Sequence, residues 1–428
     1  MAENSHGGGA PLRSIACGSH RLLMDALERD DCCLETGRYL ISLRDGMLDE
    51  GIAALKACQL KIADARDFDA QAVNLEDAGD AEAMIFPQLG VVLIGGDALE
   101  RRGMSIHDDA FKRPAIELIE PEYFAFAESS EYLRGFLSAA NAIARDLADV
   151  GSEYRDDEPP AVRDITWGLS RCKAARSRFS GAGIKIAVLD SGMDVKHPDF
   201  AGRVIESRSF VGEPVQDMNG HGTHCIGTAT GPRKAAGKWP GYGVAFEAEI
   251  HVGKVLTDAG SSTGASVLAG MNWALANRCE VISMSLGSQS PVQMAYTKAG
   301  AAALEKGCLM IAASGNENAP TGAPANSPTI FSVGSLDPSL TRSNFSNVGK
   351  VDIAAPGRDV FSAWPRPINH KTISGTSMAT PHVAGCAALW AQSDASLRGP
   401  ALWQRLVDSA QALPLSQEQV GAGLVQAP

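Results

Sequence analysis

Between residues 184 and 333 the chain alternates short apolar runs with helix-length stretches, and nothing else in its 428 residues constrains the fold as much. The apolar runs are residues 184–189, 250–256, 281–286, 309–313 and 330–333. Helical patterning fills residues 221–229, 264–276 and 293–306. Runs that are apolar on both faces and joined by helices imply a largely parallel sheet covered on both sides, an α/β architecture. Ligands of such sheets sit beyond the carboxyl ends of the strands. Polar clusters fall there: Asp190 ends the first run, Ser285-Leu286-Gly287 the third and Ser314-Gly315-Asn316 the fourth.

Ahead of this region the texture differs. Residues 39–43, 60–68, 83–94 and 115–121 read as strands, and 48–58 and 97–103 as helices. That order predicts a small ferredoxin-like α+β sandwich over residues 38–127. Taken alone, it reads as a separate packing or ligand-binding domain. Residues 1–37 read as a Gly-rich disordered start followed by a helix. Residues 128–163 read as an amphipathic helix, expected over 127–150, and an acidic Gly- and Pro-containing linker, leaving 164–428 as the main domain.

Composition excludes several classes. A net charge of −12 and a pI near 5.3 argue against nucleic-acid binding. The sequence holds no apolar run of 18 residues, so no membrane span is expected. No secretory signal is visible, and nine scattered cysteines form no Cys-x-x-Cys pair. These features point to a reducing, cytoplasmic setting rather than a disulfide framework or a zinc site.

Four stretches carry chemistry. Ser377 lies in Ser374-Gly375-Thr376-Ser377-Met378-Ala379-Thr380-Pro381-His382, read as a glycine-hinged turn opening into a helix over residues 383–392. A serine at a helix start sits among unpartnered N–H groups and the positive end of the dipole, a good place to build negative charge. Its hydroxyl needs a neutral imidazole as base, and the imidazole needs a carboxylate to fix its tautomer. His221, between Gly220 and Gly222, and Asp190, beside Ser191-Gly192, supply both types. Asn316 offers an amide donor for an oxyanion.

The blocks IAVLDSGMDVKHPDF, NGHGTHCIGTATG, VISMSLG, MIAASGNENAP and ISGTSMATPHVAG resemble those of the subtilisin-like serine proteases, in the family's order Asp, His, Ser. The resemblance runs from about Trp167 to Val425. It implies a serine endopeptidase acting on protein or peptide substrates, with Asp190, His221 and Ser377 as triad and Asn316 in the oxyanion hole. It implies that substrate binds as an added strand between Gly260-Ser261-Ser262 and Ser285-Leu286-Gly287. Ala313, Ser314, Gly315 and Gly322 would line the pocket for the side chain before the scissile bond. Small residues without an acidic base there imply a preference for large apolar or aromatic groups. Gly264 stands where many relatives carry an aromatic at the rim of a more distant pocket. The sandwich over 38–127 resembles the family's propeptide, which implies a self-processed zymogen with its own domain in the cleft. The cut is expected near 124–127 or within 151–163. No cofactor is implied for the chemistry. Structural calcium is implied at most at Asp337, because the loop after the His221 helix lacks the oxygen ligands that usually accompany an aspartate such as Asp199.

Two other classes fit the same blocks: a peptide ligase, and a binding protein permanently blocked by its own front domain. A catalytic domain without large insertions argues against the first, and four intact catalytic residue types against the second.

Overall fold

The computed structural model describes residues 13–28, 34–109, 111–127, 164–235 and 237–428. The helix expected over 127–150 and the linker after it fall, beyond residue 127, outside the described residues. The front unit begins with α1 (Ser19–Glu28) and continues through β1 (Glu35–Leu43), α2 (Leu48–Ala57), β2 (Ile62–Asp64), β3 (Ala83–Phe86), β4 (Val91–Ile94), α3 (Gly96–Arg101) and β5 (Ile116–Ala127). Its strands stand in the order β5-β1-β4-β3-β2. Residues 83–94, expected as one strand, are two. Backbone N–H groups of Leu89 and Gly90 turn back onto the Phe86 carbonyl, and β3 and β4 pair antiparallel.

Side-chain alternation explains why this unit needs a partner. Ile41, Leu43, Ile85, Val92 and Ile94 pack on Leu55 of α2 and on Ala98 and Leu99 of α3. The opposite face, with Leu40, Met84, Phe86, Val91 and Leu93, joins a core built mostly from the second unit. That face is apolar, and among the described residues no helix of the front unit covers it.

The second unit contains α4 (Trp167–Arg171), β6 (Lys185–Asp190), β7 (Ile205–Ser209), α5 (His221–Thr230), β8 (Glu249–Lys254), β9 (Ser261–Thr263), α6 (Gly264–Ala276), β10 (Val281–Met284), β11 (Leu286–Gly287), α7 (Met294–Glu305), β12 (Leu309–Ala313), β13 (Phe331–Leu336), β14 (Ile353–Pro356), β15 (Val360–Ala363), β16 (His370–Ile373), α8 (Thr376–Ser393), α9 (Pro400–Ser409) and α10 (Gln417–Val420). Seven strands form the sheet β14-β13-β12-β10-β6-β8-β7, every pair parallel. Successive residues of each strand enter opposite cores. Ile186 and Val188 pack with α5 and α8, whereas Ala187 and Leu189 pack with α6 and α7.

Three sequence expectations change. β7 carries Ile205-Glu206-Ser207-Arg208-Ser209, a half-buried edge strand with no apolar run to mark it. Helix α8 begins at Thr376, seven residues before the expected start, and contains Pro381 within its length. β5 passes Pro121 and continues to Ala127 because its last residues find new partners in the second unit. Phe124, Ala125 and Phe126 pair antiparallel with Thr263, Ser262 and Ser261 of β9. On the other side Phe126 and Ala127 pair with Gly287 and Leu286 of β11.

Candidate active site

Asp190 closes β6, and His221 opens α5. His221 Nδ1 donates to Asp190 Oδ1 at 2.8 Å, both groups being buried. Burial alone would lower the His221 pKa, but the Asp190 charge outweighs it and holds the value well above the ordinary histidine range. Ser377 lies in the first turn of α8, its Oγ 3.4 Å from the Ser285 carbonyl oxygen. His221 Nε2 is buried and makes no hydrogen bond among the described residues. In triads the serine–imidazole contact often tightens only when substrate is bound.

Thr376 pins Asn316. Its backbone N–H and its hydroxyl donate to Asn316 Oδ1 at 2.9 and 3.0 Å, leaving the Asn316 amide nitrogen as the outward donor. Gly375 sits beside it in an extended conformation that any residue adopts, with φ 163°. The hinge inferred from sequence is therefore not what this glycine provides. A Cβ there would stand 3.4 Å from Asn316 Nδ2, so the glycine keeps the space above the donor open. Gly220 is different: its φ is +100°, and a Cβ would fall 2.3 Å from the Trp364 ring. The bare backbone lets the Trp364 ring lie against the turn that leads into His221, with His224 at its edge.

Gly260, Ser261 and Ser262 form one wall of a slot, and Leu286 and Gly287 the other; Phe124–Ala127 of the same chain fills it. The Ala127 N–H donates to the Gly260 carbonyl at 2.8 Å. The Gly264 Cα faces the Tyr123 carbonyl and Tyr296 Oη, where a Cβ would meet both at 3.3 Å. Ala313, Ser314, Gly315 and Gly322 come together beside Asn316: the Gly322 N–H reaches the Ser314 carbonyl, and Ser314 is fully buried. At their edge lies Glu317, exposed, whose Oε2 accepts from the Asn316 N–H, Gln289 Nε2 and Asn347 Nδ2.

Asp337 stands apart from this cluster. Its Oδ1 accepts from the Ser339 and Thr341 N–H groups and its Oδ2 from the Thr341 hydroxyl. Asp199 Oδ2 likewise accepts from Tyr242 Oη and His370 Nε2, each at 2.8 Å. Calcium requires oxygen ligands, and the groups facing these carboxylates are hydrogen-bond donors, so neither set fits that ion.

These features coincide with known proteins. Residues 181–423, more than half the chain, match the model of the Subtilase family. The chain is a subtilase. It is 40% identical over 320 residues to an alkaline protease of Alkalihalobacillus alcalophilus, covering 73% of the chain and 82% of that protein. It is 40% identical to Subtilisin Savinase of Lederbergia lenta, covering 62% of the chain and 98% of the relative. Among solved structures a cold-adapted subtilisin-like serine proteinase superposes with a TM-score of 0.55 at 35% identity, covering 62% of this chain and 99% of that one. This subtilase is accordingly a serine-type endopeptidase of the subtilisin fold, and subtilases generally need no cofactor for catalysis.

One supporting residue of the subtilase site escaped sequence reasoning. Asp217, fully buried, accepts from the N–H groups of Asn219, Gly220 and Thr223 and from the hydroxyls of Ser191 and Thr223. It thereby ties the loop after Asp190 to the turn that carries His221. Its signal was its place four residues ahead of the histidine, visible only once the turn is folded.

Proposed function

We propose that the chain is a self-inhibited precursor of a serine endopeptidase that cuts itself before it cuts other proteins. Ser377 attacks the peptide carbonyl while His221 takes its proton. Asp190 orients His221 and stabilises the imidazolium. Asn316 Nδ2 and the Ser377 N–H hold the oxyanion. His221 then protonates the leaving amine, and water hydrolyses the acyl-enzyme by the same route in reverse.

The observation that carries this reading is the strand Phe124–Ala127, paired on both edges in the slot beside Ser377. Ala127 stands opposite Leu286, one position short of Ser285, whose carbonyl lies 3.4 Å from Ser377 Oγ. Pairing that holds the strand in the slot as far as Ala127 favours a first cut just beyond Ala127 over a cut in the 151–163 linker. The slot takes small side chains, since Ala125 and Ala127 are both buried against it. Backbone and small residues line the pocket beyond, and Glu317 is already met by three donors. Both features support a preference for apolar or aromatic groups before the scissile bond. The seven described cysteines are free thiols, which supports a reducing compartment such as the cytoplasm.

The test is labelling. A fluorophosphonate should modify Ser377 in the processed protein, and casein hydrolysis should disappear in Ser377→Ala. Casein hydrolysis surviving in that variant would refute the assignment.

A further inference from the structure

Pro381 creates a problem that the surrounding residues solve. In an α-helix the N–H of residue 381 would bond the carbonyl of residue 377. Proline has no N–H, and its ring crowds that same carbonyl. The backbone oxygen of the nucleophile is thus left without its helical partner, although Ser377 is buried. Two groups from other elements take the place of the missing N–H. Ser285, between β10 and β11, donates its hydroxyl to the Ser377 carbonyl at 2.7 Å. Cys225, on α5, brings its thiol to the same oxygen at 3.5 Å, with its sulfur 3.9 Å from His221 Nδ1. Both side chains are fully buried. Burial pushes the Cys225 thiol up to about 11, so it keeps the proton it donates.

We infer that the Ser285 side chain is a positioning residue for the nucleophile: with Cys225 beside it, it replaces the bond that Pro381 removes and fixes where Ser377 stands relative to His221 and Asn316. Ser285 therefore does two separate things. Its backbone belongs to the wall of the substrate slot, and its hydroxyl holds the first turn of α8. A displacement of about 1 Å at a reacting atom can cost on the order of 100-fold in rate. The Ser285 hydroxyl is the shorter of the two contacts and carries most of this load.

The inference rests on Ser377 being the nucleophile, and the experiment separates the two ideas. Rates are taken per site titrated with a fluorophosphonate, so molecules that fail to fold drop out. Ser285→Ala is expected to lower kcat by about 10- to 100-fold with KM within about twofold, because the slot's backbone is untouched. Adding Pro381→Ala restores an N–H at the helical position, and the double variant is expected to recover at least half of that loss on a logarithmic scale. A wild-type kcat in Ser285→Ala overturns the inference, as does a double variant no faster than the single one. Activity persisting in Ser377→Ala overturns instead the assignment on which the inference rests.

Discussion

At the scale of single residues, the site turns on how one carboxylate acts on one imidazole. Asp190 holds the His221 pKa well above the ordinary value, and only the neutral imidazole can accept the Ser377 proton. The acid limb of kcat/KM should therefore lie above about 6.5, the ordinary histidine value. Asp190→Asn should move that limb down, since the charge that most strongly opposes burial is then gone, while kcat falls by about 10⁴, the loss such a change causes in a Ser-His-Asp protease. A pH–rate profile of both proteins checks this; an unmoved limb would show that Asp190 does not set the titration. Asp190, His221, Ser377 and Asn316, the residues of the proposed site, stand out in sequence because each lies in a local block whose neighbours shape its turn. Asp217, Trp364 and the hydroxyl of Ser285 do not, because they meet the turn around His221 or the first turn of α8 through contacts that only the folded chain creates. Gly375 was misread for a related reason: its local pattern suggests backbone freedom, whereas what matters is the Asn316 amide 59 residues away.

At the scale of elements, two carboxylates of β5 hold the front unit to the second one. Glu120 accepts from the N–H groups of Met294 and Ala295 at the start of α7. Glu122 accepts from the Ala265 N–H in the first turn of α6, from the Thr36 hydroxyl, and from the fully buried Arg38 guanidinium. Helix starts are where anions bind well, so these helices suit an acidic strand. α1 adds a cover: Leu22, Leu23 and Ala26 pack on Phe124, outside the slot. Removing Glu122 strands a buried Arg38, which should cost about 3–5 kcal/mol, against about 1.5–3 kcal/mol for the hydrogen bonds of Glu120. Urea unfolding in a Ser377→Ala background, where the chain stays whole, should rank Glu122→Ala as the more damaging; equal effects would contradict the buried-pair argument. Five of the seven parallel strands were legible because apolar runs mark them, whereas β7 carries no such run and β14 only Ile-Ala-Ala-Pro. The length of β5 was not, because residues 124–127 pair with strands 135 to 161 positions later.

At the scale of the whole molecule, the two units complete one another: the front sheet has an uncovered apolar face, and α6 and α7 cover it. The sequence announced both units and their order, but the strand that joins them lies at a boundary that composition alone divides. Acid should loosen the assembly from within the second unit. His224 and His382 are fully buried, and burial pushes their pKa values down to about 3 and about 4. Both gain a proton on unfolding below about 6.5, so stability is lost as pH falls from there towards those values, at roughly 1.4 kcal/mol per unit for each. Tm should therefore drop steadily between about pH 6.5 and 4, and a flat Tm over that range would contradict it. The account stands or falls on the chain's own strand lying in the cleft of its own nucleophile. Intact mass and N-terminal sequencing of the purified wild type beside Ser377→Ala address this directly. The expected result is a wild type cut in two, with a new N terminus a residue or two beyond Ala127, and a variant that remains whole. A variant cut at the same bond, or a wild type cut only within 151–163, would contradict it.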